Sequence, residues 1–299
     1  MNKSFKASAE TIEKIIEYYA DYKTDFDEQK FFFKAKKDSF SILVYKNYTV
    51  FFQGNNFEDE MKKWDNSLED SLFPEESINE EVFLDNEDAI GSDEVGCGDY
   101  LAPIVVCCAY VKESKHQFLK EIGVKDSKQL SDVQIRKIAP LIKENTTYAY
   151  FVLSNQKYNE LVEKKYNLNK IKAYLHNFVI TKLIAKTNFA NKIVIDQFCS
   201  VDNYYNYLAD YDGIIARNIL FTEKAENKCL AVACASIIAR DIFLEEVRKI
   251  EFETGYEIIL GAGSQVDELG IQILNEKGVD FLKRYSKFNY KNTNKILGH

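Results

Sequence analysis

The sequence is poor in the residues that several common chemistries require. It holds three histidines, His116, His176 and the terminal His299, and they assemble no convincing Ser-His-Asp set. No GxxxxGK[ST] stretch occurs, which argues against a P-loop nucleotide site. Six cysteines stand at 97, 107, 108, 199, 229 and 234, and no two form a CxxC pair. Paired zinc-ligand spacing is therefore missing, and buried free thiols in a reducing compartment are expected. No apolar run reaches the ~18 residues of a membrane span. The stretch "MNKSFKASAETIEKII" lacks an apolar signal core, so a cytoplasmic protein is expected, with no membrane partner.

What is present is charge, unevenly spread. The chain of 299 residues has a net charge of −8, with 46% hydrophobic and 29% charged residues. Residues 58–88 carry thirteen acids against two lysines, whereas residues 1–57 and 89–299 are each close to neutral. A polyanionic partner is thus compatible with an acidic chain. The stretch "DNSLEDSLFPEESINEEVFLDNED", with Pro74 and weak periodicity, reads as an acidic linker, assigned to 67–88; an ordered acidic helix is the alternative. It divides a unit at 1–66 from a larger one at 89–299.

In the first unit, Ile12, Ile15, Ile16 and Tyr19 recur as one helix face with Ser8 as N-cap. "QKFFFKAKK", "SFSILVYK" and "YTVFFQG" read as three strands, turning at Asp38-Ser39 and Lys46-Asn47, and "NFEDEMKKW" as a closing helix. This is a small α+β unit with a curved antiparallel sheet. Lys30, Lys34 and Lys36 share one strand face, which suits either a solvated edge or nucleic-acid contact. In the second unit strands and helices alternate: Ile104–Val111 as strand, Ser131–Lys143 as helix, "TYAYFVLS" as strand, "LNKIKAYLHNFVITKLIAK" as an amphipathic helix, "KIVIDQF" as a buried strand, and "ENKCLAVACASIIARDIFLEEVRKI" as a long helix. A central sheet flanked by helices is expected.

Two strands end near acids. Asp93 and Glu94 follow "AIGS", and Asp196 ends "IVI". Ligands gather at such strand ends in open α/β sheets. Glu226 precedes the small-residue helix and is a further candidate, although the helix dipole alone also favours it there. Neighbouring strand residues point to opposite faces, so the strand is expected to bend or end at Asp93-Glu94, as Gly96 and Gly98 would permit. Oxygen ligands gathered in a cleft select Mg²⁺ or Mn²⁺, and such ions support phosphodiester hydrolysis. The "KDSK" stretch offers Lys125, Ser127 and Lys128 to phosphate, or is simply a turn. Ser236 and Arg240, one helical turn apart, are secondary phosphate candidates. His176 reads as a packed histidine.

Together "GSDEVGCGDYLAP", "GVKDSKQLSD", "NLNKIKAYLHN", "VIDQF", "KAENKCLAVACASIIARDIFL" and "LGAGSQVD" resemble the ribonuclease HIII branch of the type 2 ribonuclease H family, in the family's order from Ala89 onward. The first unit resembles that family's TATA-box-binding-protein-like substrate-binding domain. The resemblance implies a ribonuclease H-like fold with a mixed central sheet. It also implies divalent-metal-dependent endonucleolytic cleavage of RNA in RNA–DNA hybrids, with 5′-phosphate and 3′-hydroxyl products. By motif, Asp93, Glu94, Asp196 and Glu226 match the four acids, and Gly96-Cys97-Gly98 matches the glycine loop. Val95 and Cys97 stand where the family often has Ser and Thr, so backbone contacts of the loop are expected to survive and a Thr-hydroxyl contact is not.

The expected protein is a two-domain hybrid-cleaving endonuclease, acting with Mg²⁺ or Mn²⁺, monomeric and without an obligate protein partner. Its rivals are a DNA-junction nuclease of the same fold and a non-catalytic hybrid-binding protein.

Overall fold

The computed structural model describes residues 2–26, 31–46, 48–55, 57, 60–61, 63–64, 87–124 and 130–298. The chain forms two units, Met1–Asn79 and Glu80–His299. The acidic stretch 67–86 lies outside the described residues, as do residues 56, 58, 59 and 62 of "NFEDEMKKW".

In the first unit, helix α1 spans Ala9–Tyr18, and the Ser8 hydroxyl accepts from the Thr11 N–H at its start. That bond satisfies an amide that the first helical turn leaves without an internal partner. Strands β2 (Phe31–Lys37), β3 (Phe40–Tyr45) and β4 (Thr49–Gly54) lie where the sequence puts them. A fourth strand was not expected: β1, Asn2–Lys6, joins the other side of β4, giving the order β1-β4-β3-β2. All pairs are antiparallel. Alternate residues Phe33, Ala35, Ile42, Val44, Val50 and Phe52 are buried with Ile12, Ile15 and Tyr19 of the helix side. Lys34 and Lys36 therefore stand on the outer face of the edge strand β2, as a period of two requires.

In the second unit, β5 (Ala89–Val95), β6 (Ile104–Val111), β7 (Thr147–Leu153), β8 (Ile193–Asp196) and β9 (Ile219–Thr222) form one sheet in the order β7-β6-β5-β8-β9. The β7-β6-β5 pairs are antiparallel, and β5-β8-β9 are parallel. The sheet is thus mixed, and both its faces are covered. Helices α2 (His116–Glu121), α3 (Asp132–Asn145), α4 (Asn155–Glu163), α5 (Leu168–Thr187) and α6 (Val201–Tyr207) precede a single turn, α7 (Ala225–Lys228). After it come α8 (Leu230–Thr254), α9 (Ser264–Lys277), α10 (Val279–Tyr285) and α11 (Lys291–Leu297). Ser131 caps α3 in a reciprocal capping box with Gln134, one side chain serving each exposed amide.

Two expectations change. Helix α5 is not simply amphipathic: Ile171, Lys172, Ala173, Leu175, His176, Asn177, Val179, Ile180 and Leu183 are all buried, on more than one side of it. The single long helix from Glu226 is broken at Cys229, whose backbone is extended. Glu226 therefore sits on its own short turn ahead of α8.

The small-residue run of α8 has a packing reason. A Cβ on Gly91 would lie 2.1 Å from the Val232 nitrogen and 2.2 Å from the Ala231 carbonyl carbon. The helix backbone lies directly on strand β5, and only glycine on the strand and small side chains on the helix allow that approach. The α8 face of the sheet is lined by Val105, Cys107 and Ala109; the α5 face by Ile104, Val106 and Cys108. Strand alternation thus assigns residues 104–109 of β6 in turn to one helix or the other.

Candidate active site

Strand β5 does not bend or end at the acid pair. Its pairing with β6 runs without a shift through Asp93, Glu94 and Val95. The two carboxylates consequently go to opposite faces. Asp93 goes to the α8 face, where the Ser236 hydroxyl and the Glu94 backbone N–H bond to it. The parallel pairing of β5 with β8 matches Ile90, Gly91 and Ser92 to Ile193, Val194 and Ile195. Continued by one residue, that register sets Asp93 beside Asp196 on the same face. Asp196 Oδ1 in turn accepts from the Ala225 N–H at 2.9 Å, which ties the α7 turn carrying Glu226 to this strand end. Glu226 is 3% exposed. Burial, then the neighbouring Glu94 charge, with Asp196 adding, push the Asp93 carboxyl up to about 7.

Glu94 is held on the α5 face. His176 Nε2 lies 2.9 Å from Glu94 Oε2, and the Lys172 ammonium pairs with Glu94 Oε1. The other ring nitrogen, Nδ1, is 2.8 Å from the Ser92 hydroxyl, which donates to the Cys107 carbonyl. Phe198 stacks on the His176 ring at 5.3 Å, and Lys172 Nζ lies 4.2 Å from the centre of that same phenyl ring. Burial alone would raise the Glu94 carboxyl; His176 and Lys172 overcome it and hold it below its ordinary value. His176 is thus more than packing, and Lys172 was not singled out from the sequence. Their spacing of four on a helix, as polar residues in an apolar stretch, was the available signal.

The loop after β5 separates its two glycines. Gly96 has φ +92°, and an added Cβ would lie 2.0 Å from the Pro103 carbonyl oxygen, so this position needs glycine. At Gly98 an added Cβ would meet nothing within 4 Å. Burial pushes the Cys97 thiol up to about 12, which leaves it neutral and unsuited as a nucleophile.

Among the basic candidates, Arg240 forms a two-pronged pair with Asp132, at 2.9 and 3.0 Å. An open groove of about 290 Å³ is lined by Asp132, Ser236 and Arg240. Lys30, Lys125, Ser127 and Lys128 lie outside the described residues.

Among the described residues, no group of three His, Cys, Asp or Glu side chains is placed to hold a metal ion. The Asp93–Asp196 face nonetheless fits a hard divalent cation. Its side-chain donors are carboxylate oxygens, and Asp93, raised first by burial and then by the Glu94 and Asp196 charges, is a carboxyl whose ionised form a cation would stabilise. Glu94 also lines the groove with Ser236 and Arg240, while Lys172 and His176 hold its carboxylate.

The comparisons with known proteins agree with this architecture. A family model described as ribonuclease HII matches residues 90–293, and a domain of unknown function matches residues 2–76. Ribonuclease HIII of Listeria monocytogenes serovar 1/2a is 40% identical over 270 residues, covering 89% of this chain and 88% of that protein. Ribonuclease HIII of Bacillus velezensis is 38% identical, covering 97% of this chain and 95% of its own length. The crystal structure of Bst-RNase HIII in complex with Mn²⁺ aligns with a TM-score of 0.72 at 35% identity, over 100% of this chain and 98% of that one. The four-acid motif order, the mixed sheet and these matches lead to one assignment: the chain belongs to the ribonuclease HIII family.

Proposed function

We propose that this protein is an endonuclease that hydrolyses the RNA strand of RNA–DNA hybrids, with Asp93, Asp196, Glu226 and Glu94 as its metal-binding acids. The observation that carries the reading is the parallel β5–β8 register, which continued by one residue brings Asp93 beside Asp196, together with a buried Asp93 carboxyl raised by desolvation, then by Glu94, with Asp196 adding. A divalent cation bound there, Mg²⁺ or Mn²⁺, supplies an activated water and stabilises the leaving oxygen. The protein's own contribution is placement. Ser236 orients Asp93, the Ala225 N–H orients Asp196, and Gly98, whose added Cβ would meet nothing within 4 Å, leaves open space on the loop after the acid pair for a sugar to enter. Backbone amides there can read the 2′-hydroxyl that distinguishes RNA from DNA. Arg240 exchanges Asp132 for a backbone phosphate; exposed pairs of this kind are worth at most about 1 kcal/mol and are readily displaced.

The first unit, with Lys34 and Lys36 outward on β2, adds phosphate contacts to the duplex. Its boundary at 1–66, the acidic linker at 67–88 and the catalytic region at 89–299 belong to the same proposal, as do Lys30, Lys125, Ser127 and Lys128 as further phosphate contacts. The enzyme acts as a cytoplasmic monomer. Among the described residues no helix is long and apolar enough to cross a membrane.

The test is incubation with end-labelled RNA–DNA hybrid, all-DNA duplex and DNA junction, with and without Mg²⁺ or Mn²⁺. Metal-dependent cuts confined to the RNA strand of the hybrid support the reading; cleavage of the junction, or binding without cleavage, refutes it.

A further inference from the structure

Lys287 is 0% exposed and faces no carboxylate at hydrogen-bonding distance among its described partners. A lysine so fully buried is rare without an anionic partner, because desolvating an ammonium costs several kcal/mol. Its Nζ donates to two backbone carbonyls, Asp99 at 2.5 Å and Ala102, and its own N–H donates to the Tyr100 carbonyl at 2.9 Å. Three residues on, the Tyr290 hydroxyl donates to the Cys97 carbonyl at 2.5 Å. Burial drags the Lys287 ammonium down to about 8, a cost borne for no packing gain that a methionine would not supply. All four acceptors lie between Gly96 and Pro103, on the loop that follows the acid pair. The loop's outer end is tied separately: the Gly261 N–H donates to Asp99 Oδ1 at 2.6 Å, and the Tyr100 N–H to the Gly261 carbonyl at 2.8 Å.

We propose that Lys287 and Tyr290 are positioning residues that hold the Gly96–Ala102 loop in the shape that discriminates ribose from deoxyribose. They touch neither Asp93 nor Asp196. Their bonds fix which way the loop carbonyls point, and each peptide plane then fixes where the next N–H points. A loop read through its backbone depends on that orientation, whatever side chain occupies position 97. The inference rests on the proposed reading of the loop.

The experiment uses the full chain and measures affinity for an RNA–DNA hybrid and for a DNA duplex of the same sequence, without divalent cation so that no cleavage follows. Tyr290→Phe is the gentle variant and Lys287→Met the severe one. Tyr290→Phe is expected to fold, melting a little below the parent, and to lower the hybrid-to-DNA affinity ratio roughly fivefold, the scale of one lost hydrogen bond. Lys287→Met is expected to lower it roughly tenfold or more, since bonds from charged donors are stronger. Mn²⁺ affinity by calorimetry stays at the parental value in both. A merely structural role would weaken both duplexes alike and leave the ratio unmoved. Gly98→Val tests the loop reading by itself. If it keeps the parental ratio, the loop does not read ribose. If it loses the ratio while folded Tyr290→Phe keeps it, the positioning role is overturned and the reading stands. Should Lys287→Met fail to fold, Tyr290→Phe decides alone.

Discussion

Asp93 and Glu94 are adjacent on one strand and carry their carboxylates to opposite faces of the sheet. Asp93 meets Ser236 of α8, and Glu94 meets Lys172 and His176 of α5. The strand stays regular through both, so alternation alone separates them. Their charges are treated in opposite ways. Glu94 is neutralised by the protein, and Asp93 is left to be neutralised by something else.

The Glu94 pairing makes a stability prediction. Lys172→Met removes the ammonium paired with a mostly buried carboxylate and leaves it to His176 alone; breaking a buried pair costs up to about 3 kcal/mol. In a Glu94→Gln background the same substitution is expected to cost much less, because no charge is stranded. A double-mutant cycle by urea denaturation measures the coupling. Independent, additive costs would show that the ion pair does not operate.

Asp93 makes a pH prediction for the metal-free protein. Its folded carboxyl is raised from 3.8 to about 7, so between those values the folded state binds more protons than the unfolded one. Stability from this group is present below about pH 3.8 and is lost as pH rises through 7. Asp93→Asn keeps the oxygen that accepts the Glu94 N–H and removes the charge. It is expected to be more stable than the parent by a few kcal/mol at pH 8 and equal to it near pH 3.5. Saturating Mg²⁺ is expected to stabilise the parent at pH 8 and not the variant. Thermal melts across pH, with and without Mg²⁺, check both points.

The two loop glycines are expected to fail differently. Gly96→Val is strained at φ +92° and collides with Pro103, so it should lower the melting temperature as well as activity. At Gly98 an added Cβ meets no heavy atom within 4 Å, and its φ is not in the left-handed region, so Gly98→Val is not strained there. It should melt with the parent and lose hybrid cleavage by steric exclusion of the sugar. Cys97→Ser should remain close to the parent in both respects. A Gly98→Val enzyme as active as the parent would refute the role of the loop.

The outer lysines of the first unit should act through phosphate alone. Replacing Lys34 and Lys36 together with Gln is expected to weaken hybrid binding. The salt dependence should flatten by about 0.9 in log–log slope for each lost contact. An unchanged slope would remove these two residues from the interface.

Much of this was legible in the sequence where the signal is local. The face formed by Ile12, Ile15, Ile16 and Tyr19 with the Ser8 cap, the β-branched run of β6, and the helix that follows Ser131 all depend on neighbours in the chain. Strand β1 was not legible: "NKSFK" is mostly polar, and it becomes a strand by pairing Ser4 with Phe51. The role of His176 depends on Glu94, 82 residues away, and no periodicity reports that. Lys287 carries no sign of burial in its sequence, since its acceptors are backbone carbonyls 185 and 188 residues distant. The regular course of β5 through the acid pair was misread because both carboxylates were expected to meet at one point.

The most direct test of the catalytic assignment is cleavage of an end-labelled RNA–DNA hybrid by Asp196→Asn in the presence of Mn²⁺. The amide keeps the oxygen that accepts the Ala225 N–H, so the variant is expected to fold and melt with the parent. Its cleavage rate is expected to fall roughly a hundredfold or more, the scale of removing one preorganised charge-stabilising group. A correctly folded Asp196→Asn enzyme that cuts the hybrid at the parental rate would contradict the account.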